Sequence, residues 1–343
     1  MKSLVRAAGC LAAAAIIGVA MAGTALAADP VKLKFTLDWK FEGPLAIYLY
    51  ADQKGYFRAE GLEMTIDSGS GSAGAVNRVA SGAYEAGIAD LNSLIDFNVK
   101  NPAQAMKAVY MAYNHPPYAI FVLKKSGITK PADLKGKSLG APGFDAARAT
   151  WPAFAAKVGL APDAVTWVSM DPPLREPMLV RGEVAAISGF YFTSQLNLEA
   201  AGLKPDEMVA FQYSDYGVNL YGNAIIVSPK FAAEKPDAVK GLLRAVIKAT
   251  KEAIASPETA VKAIKPRDPL ADEALELKRL KLAIAANIVT PDVKEDGLGG
   301  VKPARLATAI DELAVAFKLA SKPKPEDVFD SSFLPPAADR KLP

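Results

Sequence analysis

Lys54-Gly55-Tyr56-Phe57-Arg58-Ala59-Glu60-Gly61-Leu62-Glu63-Met64-Thr65-Ile66, followed by Val79-Ala80-Ser81-Gly82-Ala83-Tyr84-Glu85-Ala86-Gly87-Ile88-Ala89-Asp90, decides the fold. Leu62–Ile66 reads as a short strand. Ala73–Ala80 places Val76, Val79 and Ala80 on one side of a helix, and Gly87–Ala89 reads as the next strand. Two strands bridged by a helix make a βαβ unit, and such a connection aligns its strands in parallel.

The same alternation extends both ways. Upstream, Val31–Leu37 reads as a strand and Leu45–Gln53 as a helix with Ala46, Leu49 and Tyr50 at helical spacing. Downstream come a helix over Ser93–Val99 and a strand over Ala105–Tyr113. A second set follows: strands at Tyr118–Leu123, Lys137–Gly140, Val165–Ser169 and Ala185–Ser188, with helices at Ala146–Val158, Pro177–Arg181 and Ser194–Ala201. Asn223–Val227 is a strand again. From Ala232 to about Leu319 the pattern is helical, interrupted by Pro257, Pro266, Pro269, Pro291 and Pro303, and a proline-rich tail follows from Ser321.

The fold class is therefore α/β. Two lobes are expected, each a mainly parallel sheet flanked by helices, with a cleft between them. The expected boundaries are residues 28–115 and 222–343 for the first lobe and 116–221 for the second. The chain crosses between them near 113–118 and 220–224. Ligands of open α/β sheets bind beyond the carboxyl ends of the strands. That rule selects loops 38–44, 67–73, 90–92, 142–148, 169–173 and 189–193, which are rich in aromatic, Asp, Asn, Ser and Gly residues.

Residues 1–27 read as a secretory leader. Lys2 and Arg6 open it, Leu11–Ala22 is apolar, and Ala25-Leu26-Ala27 is a cleavage signal. The apolar run falls short of the ~20 strongly apolar residues of a membrane span. The mature chain is expected to begin at Ala28 in the periplasm, without Cys10, the single cysteine. Losing Lys2 and Arg6 leaves 38 of the 40 basic residues against 37 acidic ones. That balance, without a basic helix, argues against nucleic-acid binding.

The candidate ligand contacts are Asp38, Trp39 and Phe41; Ser70 and Ser72; Asp90 and Asn92; Phe144, Asp145 and Arg148; Tyr191; and Tyr221 and Asn223. Asp38 and Trp39 end the first strand, as an acceptor beside a stacking wall or as a cap and a core residue. Ser70 and Ser72 belong to Ser68-Gly69-Ser70-Gly71-Ser72, whose glycines let a ligand approach backbone N–H groups at a helix start. It is not a nucleotide loop, because no Gly-Lys-Ser/Thr follows. Asp90 or Asn92 caps a helix or meets ligand. Arg148 either grips an anion or pairs with Asp145, and Arg175 is a second anion candidate. One of Tyr191 and Phe192 faces the cleft. His115, the lone histidine, lies at the first crossing among prolines.

Leu37-Asp38-Trp39, Lys54-Gly55-Tyr56-Phe57, Glu60-Gly61-Leu62-Glu63, the 79–90 stretch, Asp133-Leu134-Lys135-Gly136-Lys137 and Phe333-Leu334-Pro335, in that order, resemble the NMT1/THI5-like group of substrate-binding proteins of ABC importers. The resemblance implies the type II-like periplasmic-binding-protein fold. It implies a monomeric receptor that takes a small organic solute, heteroaromatic or sulfonate-like, and hands it to a membrane permease. No cofactor, metal or catalytic residue is expected. Pyrimidine-binding members carry Asn and His after Leu-Asp-Trp, where this chain has Lys40-Phe41-Glu42-Gly43-Pro44. They also carry a carboxylate after the second-lobe aromatic cluster, where Gly189-Phe190-Tyr191-Phe192 is followed by Thr193, Ser194 and Gln195. Fungal members are enzymes that use a histidine and a cysteine-rich iron motif, for which the mature chain lacks the cysteines.

Overall fold

The computed structural model describes residues 29–342. The leader expected at 1–27 lies outside them. Among the described residues, strands β1 (Val31–Thr36), β2 (Leu62–Asp67), β3 (Ala86–Asp90) and β4 (Lys107–Met111) lie in one sheet. Strands β5 (Tyr118–Leu123), β6 (Ser138–Ala141), β7 (Thr166–Ser169), β8 (Ala186–Phe190) and β9 (Met208–Gln212) form a second, and β10 (Asn223–Val227) returns to the first.

The two sheets are built alike. The first runs β2-β1-β3-β10-β4 and the second β7-β6-β8-β5-β9. In each, three neighbouring strands are parallel and the strand that follows a crossing, β10 or β5, inserts antiparallel. This has a geometric consequence. An antiparallel strand begins at the edge where its parallel neighbours end, so Asn223 sits opposite Asp90 and Tyr118 opposite Phe190. The starts of β5 and β10 thus join the loops that follow β1, β3, β6 and β8.

The sequence reading missed β9. Met208–Gln212 is an edge strand in which only Phe211 is buried, so its apolar signal is weak. The helix expected from Pro177 begins at Arg175, after a 3-10 turn over Pro172–Leu174. The helix expected over Ala146–Val158 is two helices, Ala146–Ala149 and Trp151–Lys157, broken at Thr150, whose hydroxyl turns back onto the Ala146 carbonyl at 2.8 Å.

Helix Pro236–Ala255 shows how sequence becomes packing. Pro236 presets its first turn and Asp237 faces the N-terminal dipole. Val239, Leu242, Leu243, Val246 and Ala249 recur at three- and four-residue spacing and are buried. They join Leu33, Phe35 and Ile66 of β1 and β2 in one core cluster. Leu242→Ala there would cost about 2–5 kcal/mol. A second cluster runs from Val79 and Leu94 through Tyr118 to Trp151 and Phe154, so apolar packing is continuous beneath the crossings.

The tail closes the first sheet. Phe329 bridges Ala108 of edge strand β4, and the Asp330 N–H donates to the Ala108 carbonyl at 2.9 Å. Among the described residues no helix is long and apolar enough to cross a membrane.

Candidate ligand-binding site

The first wall of the cleft rises from the loop after β1. Asp38 is 3% exposed. Its Oδ2 accepts from the Ser72 hydroxyl at 2.9 Å and from Asn223 Nδ2 at 2.7 Å, while its Oδ1 has no partner among the described residues. Burial dominates these bonds and pushes the carboxyl up to about 6. Trp39 follows, with its indole Nε1 also unpartnered. Ser72 opens helix Ser72–Ala80 behind Gly71, whose φ of 150° suits glycine.

The second wall comes from the loops after β6, β7 and β8. Asp145 caps helix Ala146–Ala149 by accepting from the Arg148 N–H at 2.8 Å and also accepts from the Ser188 hydroxyl at 3.0 Å. Arg175 is 1% exposed. Its Nε donates to Glu176 at 2.9 Å, its Nη1 reaches Asp145 at 3.4 Å, and its guanidinium lies 5.1 Å from the centre of the Trp39 ring. Burial alone would lower its pKa, but Glu176 and Asp145 outweigh that and hold it above its ordinary value. Gly189 makes room for this, since a Cβ there would meet Ser194 Oγ at 2.5 Å and Arg175 Nη1 at 2.8 Å.

Aromatic rings floor the space. Tyr113 stands edge-on to Phe190 and Phe192 at 6.4 and 6.0 Å between centroids. In this arrangement the cavity between the walls is small, about 30 Å³. The walls touch at its rim. The Thr193 hydroxyl donates to Glu42 at 2.9 Å, and the Ala73 N–H points at the Phe144 carbonyl at 3.4 Å. Arg279 backs Glu42 at 3.5 Å, pairs with Glu276 and donates to Asn197 of helix Tyr191–Ala200 at 2.7 Å. This is a closed arrangement of the two halves.

Of the residues singled out from sequence, Asp38, Trp39, Ser72 and Asp145 line the cleft, and Asn223 stands directly behind Asp38. The others lie elsewhere. Phe41 packs under the Arg267 guanidinium at 4.8 Å, and Ser70 is exposed. Phe144 is half exposed on the rim against Gly71 and Gly74. Arg148 donates to Ser169 at 2.8 Å and lies over Trp167. Tyr191 stacks on Phe121 at 6.1 Å, leaving Phe192 to face the cleft. Asp90 and Asn92 form a buried knot at the crossings, where Asp90 accepts from Tyr118 and Asn92 Nδ2 donates to the Tyr221 carbonyl at 2.8 Å. The Tyr221 hydroxyl accepts from the Lys302 N–H at 3.0 Å, under Arg305. His115 is exposed on the first crossing, where its carbonyl accepts from Asn287 Nδ2 at 2.9 Å.

Sequence reasoning did not select Glu42, Tyr113, Phe190 or Thr193 as contacts. Glu42 gave a usable signal, as a charge between Phe41 and Gly43-Pro44 in a loop beyond a strand end.

Residues 44–260 match the family described as NMT1/THI5 like. The chain belongs to the NMT1/THI5-like family. It is 29% identical over 203 residues to a Haemophilus influenzae protein named for thiamine biosynthesis, covering 58% of this chain and 62% of that one. It thus spans less than two thirds of that relative's length. It is 26% identical over 246 residues to the Saccharomyces cerevisiae 4-amino-5-hydroxymethyl-2-methylpyrimidine phosphate synthase THI5, covering 67% and 69% of the two chains. Among solved structures, the alkanesulfonate-binding protein SsuA from Xanthomonas axonopodis, bound to MOPS, superposes with a TM-score of 0.66 over 90% of this chain and 99% of its own, at 16% identity. That likeness establishes the periplasmic-binding-protein fold for this family member.

Proposed function

We propose that this chain is an exported solute receptor. It captures a small organic molecule between its two halves and delivers it to an ABC importer's membrane permease. One observation carries the reading. Asp38 Oδ1 and Trp39 Nε1 are buried without a hydrogen-bond partner among the described residues and line one wall of a single cleft, which Arg175 lines from the other side. Buried polar atoms cost about 1–3 kcal/mol each when unpaired, so their convergence points to a guest that satisfies them. The alkanesulfonate-binding neighbour supports a receptor of this architecture. The fungal synthase supports the rival reading of an enzyme. Binding is favoured over catalysis because His115 lies on a crossing, outside the cleft.

The mechanism is closure. The chain crosses at residues 112–117 and again before β10, and Arg305 donates to the carbonyls of Asn114 and Leu220, one on each crossing, at 2.8 and 3.1 Å. Rotation about these segments would open the seam formed by Glu42, Thr193, Ala73 and Phe144. Solute bound to one wall would then favour the closed form through contacts to the other.

The test is native mass spectrometry and thermal shift on protein recovered from the periplasm, against a panel of heterocycles, sulfonates, amines and aromatic acids. A solute that raises the melting temperature and shrinks the scattering radius supports the receptor reading. No stabilising solute in the panel, or recovery of intact Met1 rather than an Ala28 terminus, would overturn it.

A further inference from the structure

We infer that the cleft selects a small aromatic base presented as a cation, with an N–H edge on the Asp38 carboxylate, and rejects sulfonates and other organic anions. This rests on the receptor reading and names its solute class.

The charges decide it. The buried carboxyl side chains among the described residues are Asp38, Glu42, Asp90, Asp145, Glu176 and Glu276, against only Arg175 and Arg279 as buried basic ones. An anion-binding cleft needs a guanidinium whose charge is not already balanced. Arg175 is already committed to Glu176 and Asp145, and Arg279 to Glu42, Glu276 and Asn197. An incoming sulfonate would meet carboxylates whose countercharges are taken.

Asp38 is the odd member. No basic group pairs with it; only Ser72 and Asn223 donate, both to Oδ2, leaving Oδ1 buried and unpartnered at the cleft wall. An ionised carboxylate in that position lacks a countercharge, and a cationic N–H supplies it together with the missing hydrogen bond. The groups facing Asp38 sharpen the preference. Glu42 and Asp90 are acidic, and the hydroxyls of Tyr48 and Tyr113 are kept protonated because burial raises them well above their ordinary value. The aromatic preference comes from Trp39, Tyr113, Phe190 and Phe192, whose ring faces attract a flat cation. The Trp39 indole N–H adds a donor for an acceptor on the same solute.

The test compares three probes on one ring, benzamidine, benzamide and benzenesulfonate, by titration calorimetry on the full mature chain. At about pH 7.5, benzamidine should bind about tenfold or more tighter than either other probe, a difference of ~1.4 kcal/mol. Its affinity should fall as pH drops to about 5, where Asp38 takes up a proton. Asp38→Asn should erase the preference and Asp38→Glu should retain part of it. The pH profile of the unmutated protein is read independently of whether either variant folds. Benzenesulfonate binding as tightly as benzamidine would overturn the inference while leaving the receptor reading intact. Absence of benzamidine binding at millimolar concentration, or a flat pH profile, would overturn it as well. The receptor reading itself falls if no solute of the wider panel binds or if the recovered protein keeps an intact Met1.

Discussion

The Thr193 hydroxyl donates to Glu42 Oε2 at 2.9 Å, tying the helix after β8 to the loop after β1. Both side chains are buried, and Arg279 reaches the same carboxylate at 3.5 Å while holding Asn197. The bond exists only when the halves are shut. Thr193→Val preserves shape but removes the donor, so the closed form should lose about 1–3 kcal/mol. The open form, where water solvates Glu42, should lose nothing. Solute-free Thr193→Val protein should therefore scatter with a larger radius than the parent at equal helix content. An unchanged radius would show that this bond does not govern closure.

Arg175 balances Glu176 and Asp145 inside the second half. Removing it strands both carboxylates. Arg175→Met should cost about 3–5 kcal/mol in urea unfolding at neutral pH. The cost should shrink as the solution is acidified, because protonated carboxyls need no partner. Arg148→Met serves as the contrast. Arg148 lies partly exposed over Trp167, so its loss should cost about 1 kcal/mol or less. Equal costs for the two variants would contradict the buried pairing.

Asp90 gives a pH signature. Burial pushes its carboxyl up to about 7 from the ordinary 3.8, against hydrogen bonds from Tyr118, Ser93 and Asn92 that work the other way. Between about pH 4 and 7 the native state therefore holds a proton that the unfolded chain has released. Stability from this group is present at acidic pH and is lost as pH rises through that window, at up to ~1.4 kcal/mol per unit. Asp90→Asn has no proton to lose and can still cap helix Leu91–Lys100. The stability difference, parent minus variant, should fall from about pH 5 to pH 7.5. A constant difference across that range would refute the shift.

The alternating pattern of short strands and helices was legible because burial imposes it locally. β10 was read at its observed bounds, Asn223–Val227, since all five residues are buried and apolar runs mark such strands. Strand direction was not legible. β5 and β10 insert antiparallel because each follows a crossing, a fact about the path of the whole chain. Asp38 and Trp39 could be singled out because a strand end is a local feature. Arg175 entered the reading only as an anion candidate, because Pro172, Pro173 and Pro177 hid where its helix begins, and its pairing with Asp145 spans 30 residues. The strand alternation expected at Tyr191 and Phe192 does not apply, because both open helix Tyr191–Ala200, where Tyr191 stacks on Phe121 and Phe192 lines the cleft. Phe41 drew attention as an aromatic beside the cleft, yet Arg267, far along the chain, claims it.

Gly71 offers a way to separate closing from folding. Its φ of 150° is open to glycine and strained for other residues, and its backbone lies against Phe144 of the opposite half. A Cβ at Gly71 would fall inside contact distance of the Phe144 carbonyl and 2.8 Å from the Phe144 Cβ. The obstacle is backbone, so no side-chain rotation relieves it. Gly71→Ala should carry about 1–3 kcal/mol of local strain, a cost common to both forms. The clash with Phe144 falls on the closed form alone. The variant should fold with the parent's far-UV dichroism and a modestly lower melting temperature, yet keep a large scattering radius even with saturating solute. Cysteines at Ser70 and Gly143, on the facing loops, give an independent readout. In the parent background they should crosslink faster when solute is present, and Gly71→Ala should abolish that acceleration. If Gly71→Ala closes and crosslinks like the parent, the contact between the 68–72 loop and Phe144 is not part of closure, and the hinge mechanism loses its rim.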